Sequence, residues 1–152
     1  MGNVVGIPPG DVQRMSAGRG VTHSEFNHAK DQTTHFLQIW IEPNQKKIAP
    51  SYEQKTMAGD KSLTLIAGPK EGPDNVLLHQ DASILVAKLK KGAAATHRLR
   101  SLRKAWVQVA RGSVMINGKT LHQGDGAGIG DEEMISLSAP DEATEALIFD
   151  LP

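Results

Sequence analysis

The sequence predicts an all-β protein of the sandwich or jelly-roll type, and three observations indicate this class. Short runs of apolar and β-branched residues recur at regular spacing, with Gly, Pro or Asn between them. None of these runs continues with a period of 3.6, so no amphipathic helix is predicted. Asn117-Gly118, between two such runs, is the strongest short-range signal for a β-hairpin.

The predicted strands follow from local patterns along the chain. A first run covers residues 4–7, and Pro9-Gly10 then fits the two central positions of a type II turn, because Pro sets a negative φ and Gly accepts the positive φ that follows. A strand is expected to leave that turn. Residues 42–54 contain two prolines and are predicted to be a linker. The other predicted strands are residues 21–25, 35–41, 61–67, 76–78, 83–89, 106–110, 114–116, 120–121, 135–137 and 147–151.

Length and composition exclude several classes of protein. The 152 residues have the length of one ordinary domain, which is enough to bury a core. With 17 basic and 17 acidic residues, the net charge of zero gives no reason to expect binding to nucleic acid or to an anionic membrane. The sequence contains no cysteine, so disulfides and thiolate chemistry are excluded. It shows neither a signal-peptide pattern nor a run of about 20 apolar residues, so a soluble cytoplasmic protein is expected.

One short stretch contains a convincing pair of metal-ligand residues. His23 and Glu25 are two positions apart in the predicted strand 21–25, so the period of two places both on one face, beside Val21. An imidazole and a carboxylate on one face can bind one divalent ion. Protein metal sites usually have three or four protein ligands, so this pair requires further ligands from elsewhere. The alternative is that both residues only form local hydrogen bonds.

The stretch with this pair is predicted to recur near the C-terminus. Gly10-Asp11 aligns with Gly124-Asp125 at an offset of 114 positions, which places Leu137 and Ala139 where the candidate ligands lie in the first copy. Neither of these two residues can bind a metal. The two copies share a turn and an apolar face, which indicates a tandem repeat of one β unit. Beyond a loop four residues shorter in the second copy, the aligned apolar positions are Leu37 with Leu147, Ile39 with Phe149, and Ile41 with Leu151.

A second spacing pattern precedes the C-terminal copy. Residues 92–112 match the first motif of the cupin barrel, which is Gly, five residues, His-x-His, four residues, Glu, six residues and Gly. Arg98, Arg100 and Ala105 occupy the three ligand places, so the motif predicts a cupin barrel without a metal. Arg98 and Arg100 could line this second cup and bind a carboxylate or phosphate. The alternative is a solvated basic face, because residues 88–111 contain eight Lys or Arg and no acid.

The motifs together resemble those of the pirin family. The N-terminal match consists of Gly10-Asp11-Val12-Gln13, Ser16-Ala17-Gly18 and Thr22-His23-Ser24-Glu25. The resemblance extends over nearly the whole chain. Its other stretches are residues 37–40, 49–54, 106–109, 116–118, 131–132 and 147–152.

The resemblance implies a fold, a cofactor and an activity. Pirins have two cupin barrels and one mononuclear metal, usually iron, in the N-terminal barrel, and bacterial members show quercetin 2,3-dioxygenase activity. By this resemblance, residues 51–152 form a complete, metal-free C-terminal cupin, and residues 1–50 are a remnant of the N-terminal cupin. His23 and Glu25 match metal ligands of the family. Glu25 is also the candidate catalytic residue, as acceptor of a proton from the substrate.

One departure from the family pattern changes the expected function. The family also uses an earlier His-x-His pair as metal ligands, and no His-x-His occurs in this sequence. The chain is therefore expected to lack the first half of the N-terminal cupin and to be catalytically inactive by itself, with one divalent metal, iron by resemblance, or none. The alternative is an oxygenase for a small aromatic substrate, with its site completed across a subunit interface. The exposed half-barrel, residues 1–43, is expected to mediate a homodimer.

Overall fold

The structure is a computed structural model that describes residues 5–57 and 60–152, and every regular element within these ranges is a β-strand. In this part of the chain there is no helix that could span a membrane. The strands are β1 (Asp11–Ser16), β2 (Ser51–Thr56), β3 (Leu63–Gly68), β4 (Val76–Leu77), β5 (Ser83–Leu89), β6 (Ala94–Arg98), β7 (Lys104–Arg111), β8 (Ser113–Ile116), β9 (Lys119–His122), β10 (Gly126–Ile129), β11 (Met134–Ser138) and β12 (Thr144–Leu151).

Strands β3 to β12 form two facing sheets, which together are called the C-terminal barrel. The larger sheet has the order β10-β7-β12-β5-β3-β4, and the smaller sheet has the order β6-β11-β8-β9. The strand β12 lies inside the larger sheet and pairs antiparallel with both β5 and β7. This arrangement agrees with the predicted all-β, jelly-roll class.

Successive side chains of each strand point to opposite faces of its sheet, and the inward-facing side chains of the two sheets form one shared core. In β12, Ala146 and Ile148 are fully buried and meet inward-facing residues of both sheets. Full burial of one Ile or Val side chain stabilises the folded state by about 1.5–3 kcal/mol. The largest fully buried side chains of this core are Leu89, Val107, Val109, Val114, Ile135, Leu137 and Ile148.

The β8–β9 hairpin forms at the predicted position. Asn117 and Gly118 both have positive φ angles, 45° and 82°, as a type I′ turn requires. On either side of the turn, Ile116 pairs with Lys119. The hairpin prediction from Asn-Gly is confirmed.

The N-terminal part of the chain lies against the outer side of the larger sheet. The strands β1 and β2 pair antiparallel and form a two-stranded element called the ribbon. The Asn44 N–H donates a hydrogen bond to the His79 carbonyl at 2.8 Å. Val12 of the ribbon and Ile41 pack on a second apolar cluster, called the outer cluster, which consists of Ile66, Ala67, Val76, Ile84, Val86 and Leu147.

The turn that opens each copy of the predicted repeat has the same geometry. Gly10 and Gly124 have φ angles of 92° and 91°. In each copy the N–H of the following residue, Asp11 or Asp125, donates to the carbonyl three positions earlier, at 3.1 and 2.9 Å respectively. A strand follows each turn, β1 in the first copy and β10 in the second. The predicted turn at Pro9-Gly10 is confirmed.

Three predicted strands in the N-terminal part are not formed. Residue 4 lies outside the described residues, and residues 5–7 have no regular structure. Residues 21–25 and 35–41 pair with no strand in the described part of the chain. Their counterparts in the second copy, β11 and β12, each lie between two neighbouring strands. The prediction for these stretches was wrong because a strand needs ladder partners, and the local pattern does not supply them.

Besides β2, the strands β6 and β10 were not predicted, because they consist mostly of small or polar residues without apolar alternation. They are formed by pairing with β11 and β7 respectively. Gly126 of β10 lies directly under Trp106, where a Cβ atom would come within 2.3 Å of the indole ring.

The strand β2 overlaps the predicted linker, residues 42–54. It pairs with β1 across the predicted domain boundary at residue 50.

Candidate metal site

The two predicted metal ligands are on the irregular segment between β1 and β2. His23 and Glu25 are both exposed to solvent. The carboxylate of Glu25 is connected to β1, because Gln13 Nε2 donates a hydrogen bond to Glu25 Oε1 at 3.2 Å. His23 and Glu25 together are called the half-site.

A chain of polar side chains continues from Gln13 across the ribbon. Gln13 and Gln54 are paired in the ladder, and the Tyr52 hydroxyl donates to Gln13 Oε1 at 3.1 Å and also contacts Gln54. Gln54 Nε2 donates to Asp11 Oδ2 at 2.6 Å. Burial, and then the negative charge of Asp11, raise the pKa of Tyr52. The phenol therefore stays protonated at neutral pH and remains a hydrogen-bond donor within this chain.

Charged groups anchor the opposite face of the ribbon to the C-terminal barrel. Glu53 accepts hydrogen bonds from Arg14 Nη2 at 3.0 Å, from Lys55 Nζ at 3.2 Å and from the Leu77 N–H at 3.0 Å. Lys55 also donates to two carbonyls of the loop before β4, at 2.6 and 2.8 Å. The half-site is thus connected to the barrel through the ribbon.

The hydrogen bonds that Glu53 accepts from Arg14, Lys55 and Leu77 are called the anchor. The anchor makes the stability of the fold dependent on pH. Burial alone would raise the pKa of Glu53, but the hydrogen bonds from Leu77, Lys55 and Arg14 hold that pKa below its ordinary value of 4.5. A group with a lowered pKa in the folded state stabilises the fold above its unfolded-state pKa, and the contribution is lost as the pH falls through the folded-state value. We expect the free energy of unfolding to decrease as the pH falls below about 4.5, and to decrease less in Glu53→Gln.

Urea unfolding at a series of pH values measures this dependence. The control is Glu133→Gln, because the Glu133 carboxylate is exposed and lies 3.7 Å from the exposed Arg98. Its pH dependence is expected to match that of the parent chain. The same pH dependence in Glu53→Gln as in the parent would refute the proposed role of the anchor.

The half-site does not fit a complete mononuclear metal site. Within residues 5–57 and 60–152, no group of three His, Cys, Asp or Glu side chains is placed so that it could hold an ion. His35, a nearby histidine in sequence, instead interacts through Nδ1 with Arg111 Nε at 3.4 Å. The pair therefore provides two ligands where such sites use three or four.

The corresponding places in the second copy belong to the core. Leu137 and Ala139, which align with His23 and Glu25, are fully buried in the C-terminal barrel. Apolar side chains thus occupy the positions at which the first copy has its two candidate ligands.

Arg98 and Arg100 do not line the interior of the C-terminal barrel, so their predicted position in the second cup was wrong. The Arg98 side chain is 80% exposed, and Arg100 is exposed as well. The motif spacing is displaced by one residue from the strand register, because His97 and Leu99 are the residues that face inward. Anion binding by the two arginines stays a prediction.

The inward side of β6 contributes to an ionic cluster that the sequence pattern did not predict. The buried carboxylate of Asp150 lies 2.8 Å from His97 Nε2 and also accepts a hydrogen bond from Arg103. Arg103 donates to Asp81 Oδ1 at 3.0 Å. Burial opposes a charged guanidinium, but the hydrogen bonds and charges of Asp150 and Asp81 raise the pKa of Arg103. The available signal was an acidic residue inside the apolar run 147–151.

Comparison with known proteins relates both halves of the chain to one family. The family model for pirin matches residues 1–41, and the model for the quercetinase C-terminal cupin domain matches residues 65–151. Quercetin 2,3-dioxygenase of Escherichia coli strain K12 is 38% identical over 100% of this chain, and a pirin-like protein of Caulobacter vibrioides is 40% identical over 97% of it. The chain spans 65% of the length of each of these relatives.

Solved structures give the same relationship. The crystal structure of YhhW from Escherichia coli superimposes with a TM-score of 0.92 at 38% identity, covering 100% of this chain and 64% of that one. A crystal structure of the same bacterial pirin in complex with nickel(II) gives a TM-score of 0.87 over 96% of this chain and 63% of that one. The predicted family and the predicted cupin fold are confirmed. The chain belongs to the pirin family of cupin proteins.

Proposed function

We propose that the 152-residue chain by itself is a pirin-family cupin without dioxygenase activity, in which His23 and Glu25 are half of a mononuclear metal site. The ligand inventory supports this proposal, because no third His, Cys, Asp or Glu joins the pair in the described part of the chain. A metal ion on two exposed side chains retains mostly water ligands and exchanges readily with the solvent. Such an ion is not held in one orientation toward a substrate.

Oxygen consumption with quercetin as substrate tests this proposal. The purified chain is supplied with ferrous iron or nickel(II), and the quercetin 2,3-dioxygenase of Escherichia coli serves as the positive control. We expect no consumption above the rate of the metal ion alone. Turnover that His23→Ala abolishes, and that His122→Ala at an exposed position of β9 leaves intact, would refute the proposal.

The second candidate function is a quercetin 2,3-dioxygenase-like oxygenase whose metal site is completed across a subunit interface. Five large apolar side chains exposed between residues 26 and 40 favour it, since large apolar residues left in solvent commonly mark an interface. These side chains are Phe26, Phe36, Leu37, Ile39 and Trp40.

A two-fold axis through residues 1–43 would bring two half-sites together in an isologous dimer. Four ligands, two imidazoles and two carboxylates, would then be available to one ion. In this arrangement Glu25, positioned by Gln13, would accept a proton from an aromatic substrate. The two candidate functions differ in a measurable quantity, which is the number of tightly bound ions per subunit.

A further inference from the structure

The hairpin of β8 and β9 is attached to the rest of the smaller sheet through a short junction. The ladder of β8 with β11 consists of two residue pairs, Leu137 with Ile116 and Ser138 with Met115. In the described part of the chain the hairpin has no other ladder partner, since β9 pairs only with β8 and lies at the edge of the sheet. Contacts next to these two pairs therefore contribute to its attachment.

Asn117, in the turn of this hairpin, continues the junction past the end of β8. Its N–H donates a hydrogen bond to the Ser136 carbonyl at 3.0 Å. Its side-chain amide then pairs with β11 as a further peptide group would. Nδ2 donates to the Met134 carbonyl at 3.1 Å, and Oδ1 accepts from the Ser136 N–H at 2.8 Å. These two side-chain hydrogen bonds are called the amide brace.

The same residue has the chemistry of a spontaneous modification site. Asn117-Gly118 is the one Asn-Gly in the sequence, both residues are exposed, and a Cβ atom at Gly118 would meet nothing within 4 Å. The backbone nitrogen of Gly118, once deprotonated, can attack Cγ of Asn117, so that an N–Cγ bond forms and ammonia leaves. Water then opens the resulting succinimide at either carbonyl, which gives aspartate or isoaspartate at position 117.

We propose that Asn117 is a deamidation site that the amide brace keeps closed in the folded barrel, and that its conversion loosens the hairpin from β11. With its nitrogen and oxygen both held by β11, the side-chain amide is not free to rotate toward the Gly118 nitrogen. Conversion therefore has to follow local opening of the hairpin. Neither step involves the half-site.

Both products weaken the junction. A carboxylate at position 117 has no hydrogen to donate to the Met134 carbonyl, which the amide brace otherwise satisfies. Isoaspartate also adds one main-chain carbon to the two-residue turn. Because the length of the turn fixes the register of a hairpin, this product disturbs the pairing of Ile116 with Lys119 as well.

Peptide mass spectrometry of the 152-residue chain, incubated at mildly alkaline pH with and without guanidinium chloride, tests the closed site. We expect aspartate and isoaspartate to accumulate at position 117 in the denatured chain. In the folded chain we expect conversion to be at least about tenfold slower, because opening has to precede attack. Equal rates in the two samples would overturn the protection, and an intact Asn117 in the denatured chain would overturn the site.

Asn117→Gly tests the amide brace, because it removes both side-chain bonds and keeps a dipeptide that also favours a type I′ turn. Exchange of the Ser136 amide hydrogen is expected to be about tenfold faster than in the parent chain. The control is Lys119→Ala, which changes an exposed residue beside the turn and leaves the brace in place. Parent-like exchange in Asn117→Gly, or equal acceleration in Lys119→Ala, would overturn the brace.

Asn117→Asp tests the consequence of conversion, since it reproduces one product and retains an Asp-Gly turn. The urea concentration at the midpoint of unfolding is expected to be lower than in the parent chain, because the bond to the Met134 carbonyl is lost. Lys119→Ala again serves as the control and is expected to keep the parent midpoint. An unchanged midpoint in Asn117→Asp would overturn the loosening of the hairpin.

Discussion

Replacement of Asp150 by Ala is expected to lower the free energy of unfolding by about 3–5 kcal/mol, because it leaves the buried charge of Arg103 with only the exposed carboxylate of Asp81 as its partner. The Asp150 side chain is 9% exposed, and its carboxylate binds both His97 and Arg103. The Arg103 side chain is itself 11% exposed, so water cannot replace the lost carboxylate. Urea unfolding monitored by circular dichroism measures the change.

The matched control for this prediction is Glu133→Ala, which also removes a carboxylate from an Arg ion pair. The pair of Glu133 with Arg98 is exposed, so its loss is expected to cost about 0–1 kcal/mol. Asp150→Asn keeps the shape and part of the hydrogen bonding, and is expected to fall between these two values. If Asp150→Ala and Glu133→Ala are equally stable, the cluster does not contribute to the stability of the barrel.

Replacement of Ile148 by Ala is expected to destabilise the fold by about 2–5 kcal/mol, because it opens a cavity in the core. Ile148 is fully buried in β12, where it pairs with Leu85 of β5 and Val107 of β7. The surrounding strands are held by ladders on both sides, so the site cannot collapse to fill the space. The midpoint of urea unfolding and its slope give the difference.

Ile39→Ala is the control, because it makes the same chemical change in the unpaired N-terminal segment. Ile39 is 39% exposed, and the 35–41 stretch has no ladder partner among the described residues. Its replacement is expected to cost about 1 kcal/mol or less. An equal cost at Ile39 and Ile148 would mean that the N-terminal segment is packed as firmly as the barrel, and would contradict the difference expected between the two.

A strand could be predicted from the sequence where two conditions hold. Its residues show a local apolar pattern, and neighbouring strands are present to form hydrogen bonds with it. The strand β5 was predicted with its observed bounds, and Asn117-Gly118 located a hairpin correctly. Residues 35–41 show the limit of this reasoning. Apolar residues recur along them and Ile41 packs on the outer cluster, yet no strand forms, because the pattern carries no information on whether neighbouring strands exist. Conversely, β6 and β10 show no apolar alternation, and they are strands because they pair with β11 and β7 respectively.

The same limit applies to the candidate site. Spacing identified His23 and Glu25, whereas the contact of Gln13 with Glu25 joins residues from β1 and a loop, and no local pattern predicts it. The cupin spacing placed Arg98 inside the second cup, but a displacement of one residue relative to the strand register exchanges the two faces. His97 therefore faces inward and meets Asp150.

Native mass spectrometry of the freshly purified chain tests whether the half-site can hold a metal ion by itself. One spectrum gives both the number of subunits and the number of retained ions. With only His23 and Glu25 as ligands, we expect a species without a retained divalent ion, whatever its subunit number. A dimer that retains one divalent ion, and loses it in His23→Ala, would contradict the claim and favour an oxygenase site completed between subunits.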